Sequence, residues 1–154
     1  MYMKDYPRGV EVVASALIIN KNKDILLIKS HKWGDNFLIP GGHVELTETV
    51  KIAAKREGEE ETGLKLKPLY CVNIGELINE PTFNRKAHLV FFHFVCEALN
   101  EEVNLDHNEL KEFIWVKPEK ALEMNLTKGA KQTIRNYING VKIDITSIVF
   151  SEYK

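Results

Sequence analysis

From Leu89 to Cys96 every residue but His93 is apolar. A strand of that composition has no polar face to turn to water, so it must be covered on both sides. Helices are therefore expected on both faces of the sheet that holds it. Val12 to Ile19 and Ile25 to Ile28 are two further apolar runs, and the polar turn Asn20-Lys21-Asn22-Lys23-Asp24 between them predicts a hairpin. Phe37-Leu38-Ile39 is a short strand stopped by Pro40-Gly41-Gly42. Leu69 to Ile78 reads as a strand with a bulge at Gly75, and Phe113 to Val116 as another. A helix is predicted from about Thr47, as its cap, to Thr62, with Gly63 ending it. Pro118 opens a short helix through Leu122, and Ala130, Ile134, Tyr137 and Ile138 repeat at helical spacing before Gly140. The expected fold class is α/β, an α/β/α sandwich with a mixed β-sheet, in one domain over residues 1–154. In the tail, 141–154, Val141, Ile143 and Ile145 alternate with polar residues. That pattern predicts an edge strand, and the segment from Val141 to Phe150 is a candidate surface for a homodimer.

The formal net charge is -1, so no field of either sign draws the chain to nucleic acid or to an anionic membrane. A phosphorylated ligand would have to be held by local charges or metals. Cys71 and Cys96 lie in apolar runs without zinc-site spacing and read as buried thiols. The first residues lack the apolar stretch of a signal peptide, and no apolar run approaches a membrane span, which predicts a cytoplasmic protein.

The chemistry is concentrated on the first predicted helix. With about 100° per residue, Glu57, Glu60 and Glu61 share one arc of about 100°, while Glu59 points away. Val50, Ala53 and Ala54 precede them on that arc, so the face begins small and apolar and ends acidic. Packing of its first half would hold its second half against the body of the protein. Three carboxylates so placed repel one another. A hard divalent cation turns that repulsion into binding. Pro40-Gly41-Gly42 can bring backbone close to the acids, and Arg56 and Glu48 can pin that loop to the helix.

The stretch from Gly42 to Leu64 resembles the box of the Nudix (MutT-like) hydrolase family, Gly-x5-Glu-x7-Arg-Glu-U-x-Glu-Glu-x-Gly-U, where U is a bulky aliphatic residue. Gly42, Glu48, Arg56, Glu57, Glu60, Glu61 and Gly63 match its seven fixed identities, and Leu64 fits its last position. With each identity at about 7%, a chance match over the chain is on the order of 10⁻⁶. Gly58 departs, standing where the family has an aliphatic side chain. Glycine costs about 1 kcal/mol against alanine inside a helix, so Gly58→Leu is expected to raise the melting temperature.

The resemblance implies a Nudix-type sandwich and a pyrophosphohydrolase. It implies Mg²⁺, with Mn²⁺ able to substitute, held by Glu57, Glu60 and Glu61 with the Gly41 carbonyl. A further ligand is expected from the loop before the last strand, with Glu109 first and Glu112 second. Glu57 is the first choice for general base, and Glu48 and Arg56 organise the loop and helix. The implied substrate is a small nucleotide: a nucleoside diphosphate linked to another group, as in ADP-ribose, dinucleoside polyphosphates or nucleotide sugars, or a nucleoside triphosphate. Arg85, Trp33 and His31 are the candidates for contacting it. The competing reading is a nucleotide-sensing module of the same fold that does not cut its ligand.

Overall fold

The computed structural model describes residues 5–108 and 110–145. Strand β1, Val10–Ile19, turns into β2, Ile25–Ser30, through a loop in which the Asn20 side chain accepts the Asn22 and Asp24 N–H groups. The pair meets only at Ile19 and Ile25, after which β2 runs on with β3, Phe37–Leu38, and β7, Leu110–Val116. Strand β4, Gly41–His43, lies antiparallel on β1. Along its whole length β1 pairs in parallel with β6, His88–Ala98, whose far side carries the antiparallel β5, Leu66–Ile78. The result is the expected mixed sheet.

Helix α1, Val50–Thr62, covers one face, where Ala14, Ala16 and Ile18 of β1 meet Ala53 and Ala54. Helices α2, Pro118–Ala121, and α3, Lys128–Ile138, cover the other, over Leu17, Leu27 and Val95. The alternation along β1 assigns its side chains to the two layers in turn. The apolar run of β6 is buried on both faces from His93 to Cys96, and one face of its first half, at Val90 and Phe92, is half-buried. Cys71 and Cys96 are both buried thiols, and burial pushes the Cys96 pKa up to about 12. No helix among the described residues is long and apolar enough to cross a membrane.

Four local expectations need correction. Thr49, not Thr47, caps α1, its hydroxyl accepting the Ile52 N–H at 3.1 Å. Thr47 is in the left-handed region at φ 67, inside a turn closed by Glu48 N–H on Glu45 O. Gly75 is not a bulge: it pairs with Phe91, whose ring lies where a side chain would be, and the register slips between Pro68 and Tyr70 and between Cys71 and Asn73. In the tail, Ile143 makes a single bridge, its N–H donating to the Cys71 carbonyl on the outer edge of β5. The rest of the proposed pairing segment, from residue 146, lies outside the described residues.

The fourth correction concerns Gly58. It is buried, and a Cβ there would lie 2.6 Å from Leu66 Cδ1 and 3.1 Å from Ala16 Cβ. The missing side chain of the helix is replaced by the Leu66 side chain arriving from β5. No cavity waits to be filled, so a leucine overpacks the layer instead of completing it. Overpacking costs about 1–3 kcal/mol, more than the helix propensity regained. Gly58→Leu is therefore expected to lower the melting temperature, by up to roughly 8 °C. Calorimetry checks this, and a rise would show that Leu66 yields without cost.

Candidate active site

The close approach of α1 to β1 and β4 places its last two turns beside the strand Gly41–His43. Arg56 is the hub. Its Nε and Nη2 clamp the Glu48 carboxylate at 2.6 and 2.9 Å, and Nη2 also donates to the His43 carbonyl at 3.0 Å. This ties the loop before the helix to the helix itself, as the spacing of the two residues suggested. The Arg56 guanidinium holds the Glu48 carboxyl below the usual range, against the effect of burial. Arg56 Nη1 reaches Glu57 at 2.8 Å and Glu60 at 3.2 Å, with Glu45 at 3.8 Å.

The three acids differ in their surroundings. Glu57 lies so close to β4 that a Cβ on Gly42 would fall 2.5 Å from its carboxyl carbon. Glu61 is 6% exposed and accepts the Gly41 N–H at 3.0 Å. Glu60 is 60% exposed. Glu59 points away, accepting from Lys55 and from the Leu66 N–H at the start of β5. Among the described residues no three His, Cys, Asp or Glu side chains stand close enough, as placed, to hold a metal ion. The donor chemistry is nonetheless that of a hard cation: carboxylate oxygens along one helix edge beside the two glycines of β4.

Glu109 lies outside the described residues. The loop that leads to it docks on the end of α1, with Asn104 N–H on Thr62 O and Asp106 N–H on Glu61 O. Glu112, the second candidate, is on β7 and is paired with Lys29 at 3.2 Å.

On the other side of β4 a cleft opens over β1 and β6 and under the first turn of α3. Gly41, Gly42 and His43 form the wall it shares with the acids. Trp33 and Phe83 line it, their rings 4.5 Å apart at 40°. Lys32, also on its lining, accepts the Asn84 N–H through its carbonyl and so joins the two loops that carry the rings. Of the substrate candidates, Trp33 is therefore at the cleft. His31 is exposed in the turn after β2, away from its lining. Arg85 is committed elsewhere: both Nη atoms grip Glu11 at 2.7 and 2.8 Å, and His43 Nε2 meets the same carboxylate at 2.6 Å. Glu11 is 6% exposed, and Arg85 brings its pKa down to about 2. This trio braces β4 against β1, and local spacing gave no sign of it.

The chain's relatives bear on the fold and its family. A structure of a MutT protein from Methanosarcina mazei superposes with a TM-score of 0.72 at 24% identity, over 86% of this chain and 95% of that one. The m7GpppN-mRNA hydrolase NUDT17 of Xenopus laevis is 31% identical over 127 residues, 73% of this chain and 43% of that protein. The ADP-ribose pyrophosphatase of Methanocaldococcus jannaschii is 37% identical over 90 residues, 56% of this chain and 50% of that protein. The chain thus spans about half the length of these two curated relatives. The NUDIX domain model matches residues 10–137, and the chain belongs to that family.

Proposed function

We propose that the chain is a divalent-cation-dependent hydrolase that splits a phosphoanhydride bond in a nucleotide. The substrate is a nucleoside diphosphate linked to another group, or a nucleoside triphosphate. The observation that carries this reading is the position of Gly42, which lines the cleft on one side and touches the Glu57 carboxylate on the other. A ligand with its nucleoside in the cleft passes its phosphates over Gly41 and Gly42, which carry no side chains, onto the acids. The named relatives act on a capped mRNA and on ADP-ribose. Both ligands join a nucleoside to a second group through phosphates, which supports the same class here.

Glu57, Glu60 and Glu61, with the Gly41 carbonyl and Glu109, are the residues proposed to hold Mg²⁺ or Mn²⁺. When bound, the cation offsets diphosphate charge and makes water more acidic. Glu57 accepts the proton of the attacking water at its carboxylate. Arg56 and Glu48 fix the helix and loop so that Glu57 can hold the water opposite the departing phosphate: the water oxygen bonds to phosphorus as the anhydride P–O bond breaks, and the leaving phosphate keeps that bond's electron pair. The two glycines leave room above the strand for the chain of phosphates.

A panel of ADP-ribose, nucleotide sugars, dinucleoside polyphosphates and nucleoside triphosphates, assayed with Mg²⁺ and product identification, tests the proposal. Cleavage between two phosphorus atoms of at least one member is expected. Failure on all of them sinks the reading. Glu60→Gln is expected to lower kcat by tenfold or more, about 1.4 kcal/mol. Because Glu60 is 60% exposed, its melting temperature should stay near the parent's. Parental kcat in this variant would remove Glu60 from the site.

A further inference from the structure

The floor of the cleft holds a polar side chain that the reaction leaves unused. His93 of β6 is 6% exposed and lines the cleft beside Thr127 and Gly129. Its Nδ1 meets Thr133 Oγ1 at 2.5 Å, and that hydroxyl oxygen also accepts from Asn73 Nδ2 at 3.0 Å. A hydroxyl has one proton to give. The Asn73 amide supplies its own, and among the described residues the Thr133 proton has only His93 Nδ1 to go to. Nδ1 is therefore the acceptor, and the imidazole proton sits on Nε2. Burial brings the His93 pKa down to about 3, so the ring is neutral near pH 7. The Phe91 ring, 4.4 Å away at 30°, fixes its plane.

Among the described residues Nε2 has no hydrogen-bond partner. Yet no side-chain nitrogen or oxygen sealed from solvent there lacks one. Nε2 is therefore open to the cleft. Ser15 of β1 is the register partner of His93 and lies on the same face of the sheet. It is 8% exposed, lines the same cleft, and its hydroxyl makes no hydrogen bond to another described residue. Leu38, Leu77 and Leu89 supply apolar wall around this polar pair. A slot with apolar walls and two unspent polar groups on its floor suits a flat heterocycle entered edge first.

We propose that the Nε2–H of His93, with Ser15 Oγ beside it, reads the base of the nucleotide by donating to a ring nitrogen or carbonyl oxygen on its edge. This rests on the nucleotide reading of the cleft given above. A ligand without that acceptor leaves a desolvated donor unpaired, so the site rejects it more strongly than an apolar pocket would.

The test compares binding of AMP, GMP, CMP and UMP with that of ribose 5-phosphate, each with Mg²⁺. The parent protein is set against His93→Phe, which keeps the ring and its contact with Phe91 but loses the N–H. The parent is expected to bind at least one mononucleotide about tenfold or more tighter than ribose 5-phosphate. His93→Phe should shrink that margin by about tenfold and leave ribose 5-phosphate affinity within about twofold. His93→Gln, which returns an N–H donor, should recover part of it. If His93→Phe does not fold, the pair His93→Phe with Thr133→Val removes both ends of the buried hydrogen bond and serves instead.

The ¹⁵N spectrum of the parent imidazole should show a protonated Nε2 and a bare Nδ1. No margin in the parent, a margin untouched in His93→Phe, or a proton on Nδ1 each overturns the proposal. A parent that shows the margin yet cleaves no member of the substrate panel defeats the proposed reaction and leaves the base reading standing.

Discussion

Chelation by EDTA is expected to abolish hydrolysis, and excess Mg²⁺ to restore it. The argument is electrostatic. Four carboxylates, those of Glu45, Glu48, Glu57 and Glu60, gather within 4 Å of one guanidinium. Glu61 stands one residue further on, turned to the Gly41 N–H. A diphosphate carries at least two negative charges into this neighbourhood. At an effective dielectric near a protein surface, each like-charge pair at 4 Å costs about 4 kcal/mol. Arg56 cannot offset the newcomer, because its donors are already spent on Glu48, Glu57, Glu60 and the His43 carbonyl. Among the described residues the cationic side chain on the cleft lining is Lys32, and one lysine does not balance these carboxylates together with a diphosphate, so a cation brought by the solvent is needed for the rest. A second readout is independent of turnover: Mg²⁺ at a hundredfold excess over its Kd stabilises the fold by about 2.7 kcal/mol, or roughly 5–10 °C. Turnover indifferent to EDTA, with no thermal shift, would remove the cation from the site.

How far the sequence reaches into this structure depends on the range of the interactions involved. The acidic face of α1, its Gly63 end and the small residues Ala53 and Ala54 were legible because helical spacing alone sets them. The two-sided cover on β6 was legible because composition alone demands it. The capping residue was missed by two positions, since Thr47 and Thr49 are equally good caps and only the Glu45–Glu48 turn decides between them. Gly58 was misread for a different reason. Its partner, the Leu66 side chain, is brought by the fold and not by the helix, so the helix alone shows a gap where the packed layer has none. Arg85 illustrates the same limit: its carboxylate partner Glu11 is 74 residues away. His93 was legible as the one polar residue of an apolar strand, but the tautomer that exposes Nε2 depends on Thr133, 40 residues on.

Gly42→Ala is expected to lower kcat by about a hundredfold while leaving the melting temperature nearly unchanged. A Cβ on residue 42 would lie 2.5 Å from Glu57 Cδ and Oε2 and 2.7 Å from Oε1. Carbon atoms pack at about 3.5 Å or more, so the carboxylate must retreat by about 1 Å. It is the tip of a flexible side chain, and its retreat costs the fold little. A displacement of that size in a reacting group is worth about a hundredfold in rate. Gly41→Ala makes the contrasting case. There a Cβ would strike the Ala14 carbonyl at 2.6 Å and the Ser15 side chain, at the point where β4 pairs with β1. Backbone cannot retreat as a carboxylate can, so this second variant should lose stability and activity together. Measuring kcat and melting temperature for both glycines separates the two roles. Parental kcat in Gly42→Ala would mean that the Glu57 carboxylate has no fixed task, and the assignment of the base would have to move along the helix.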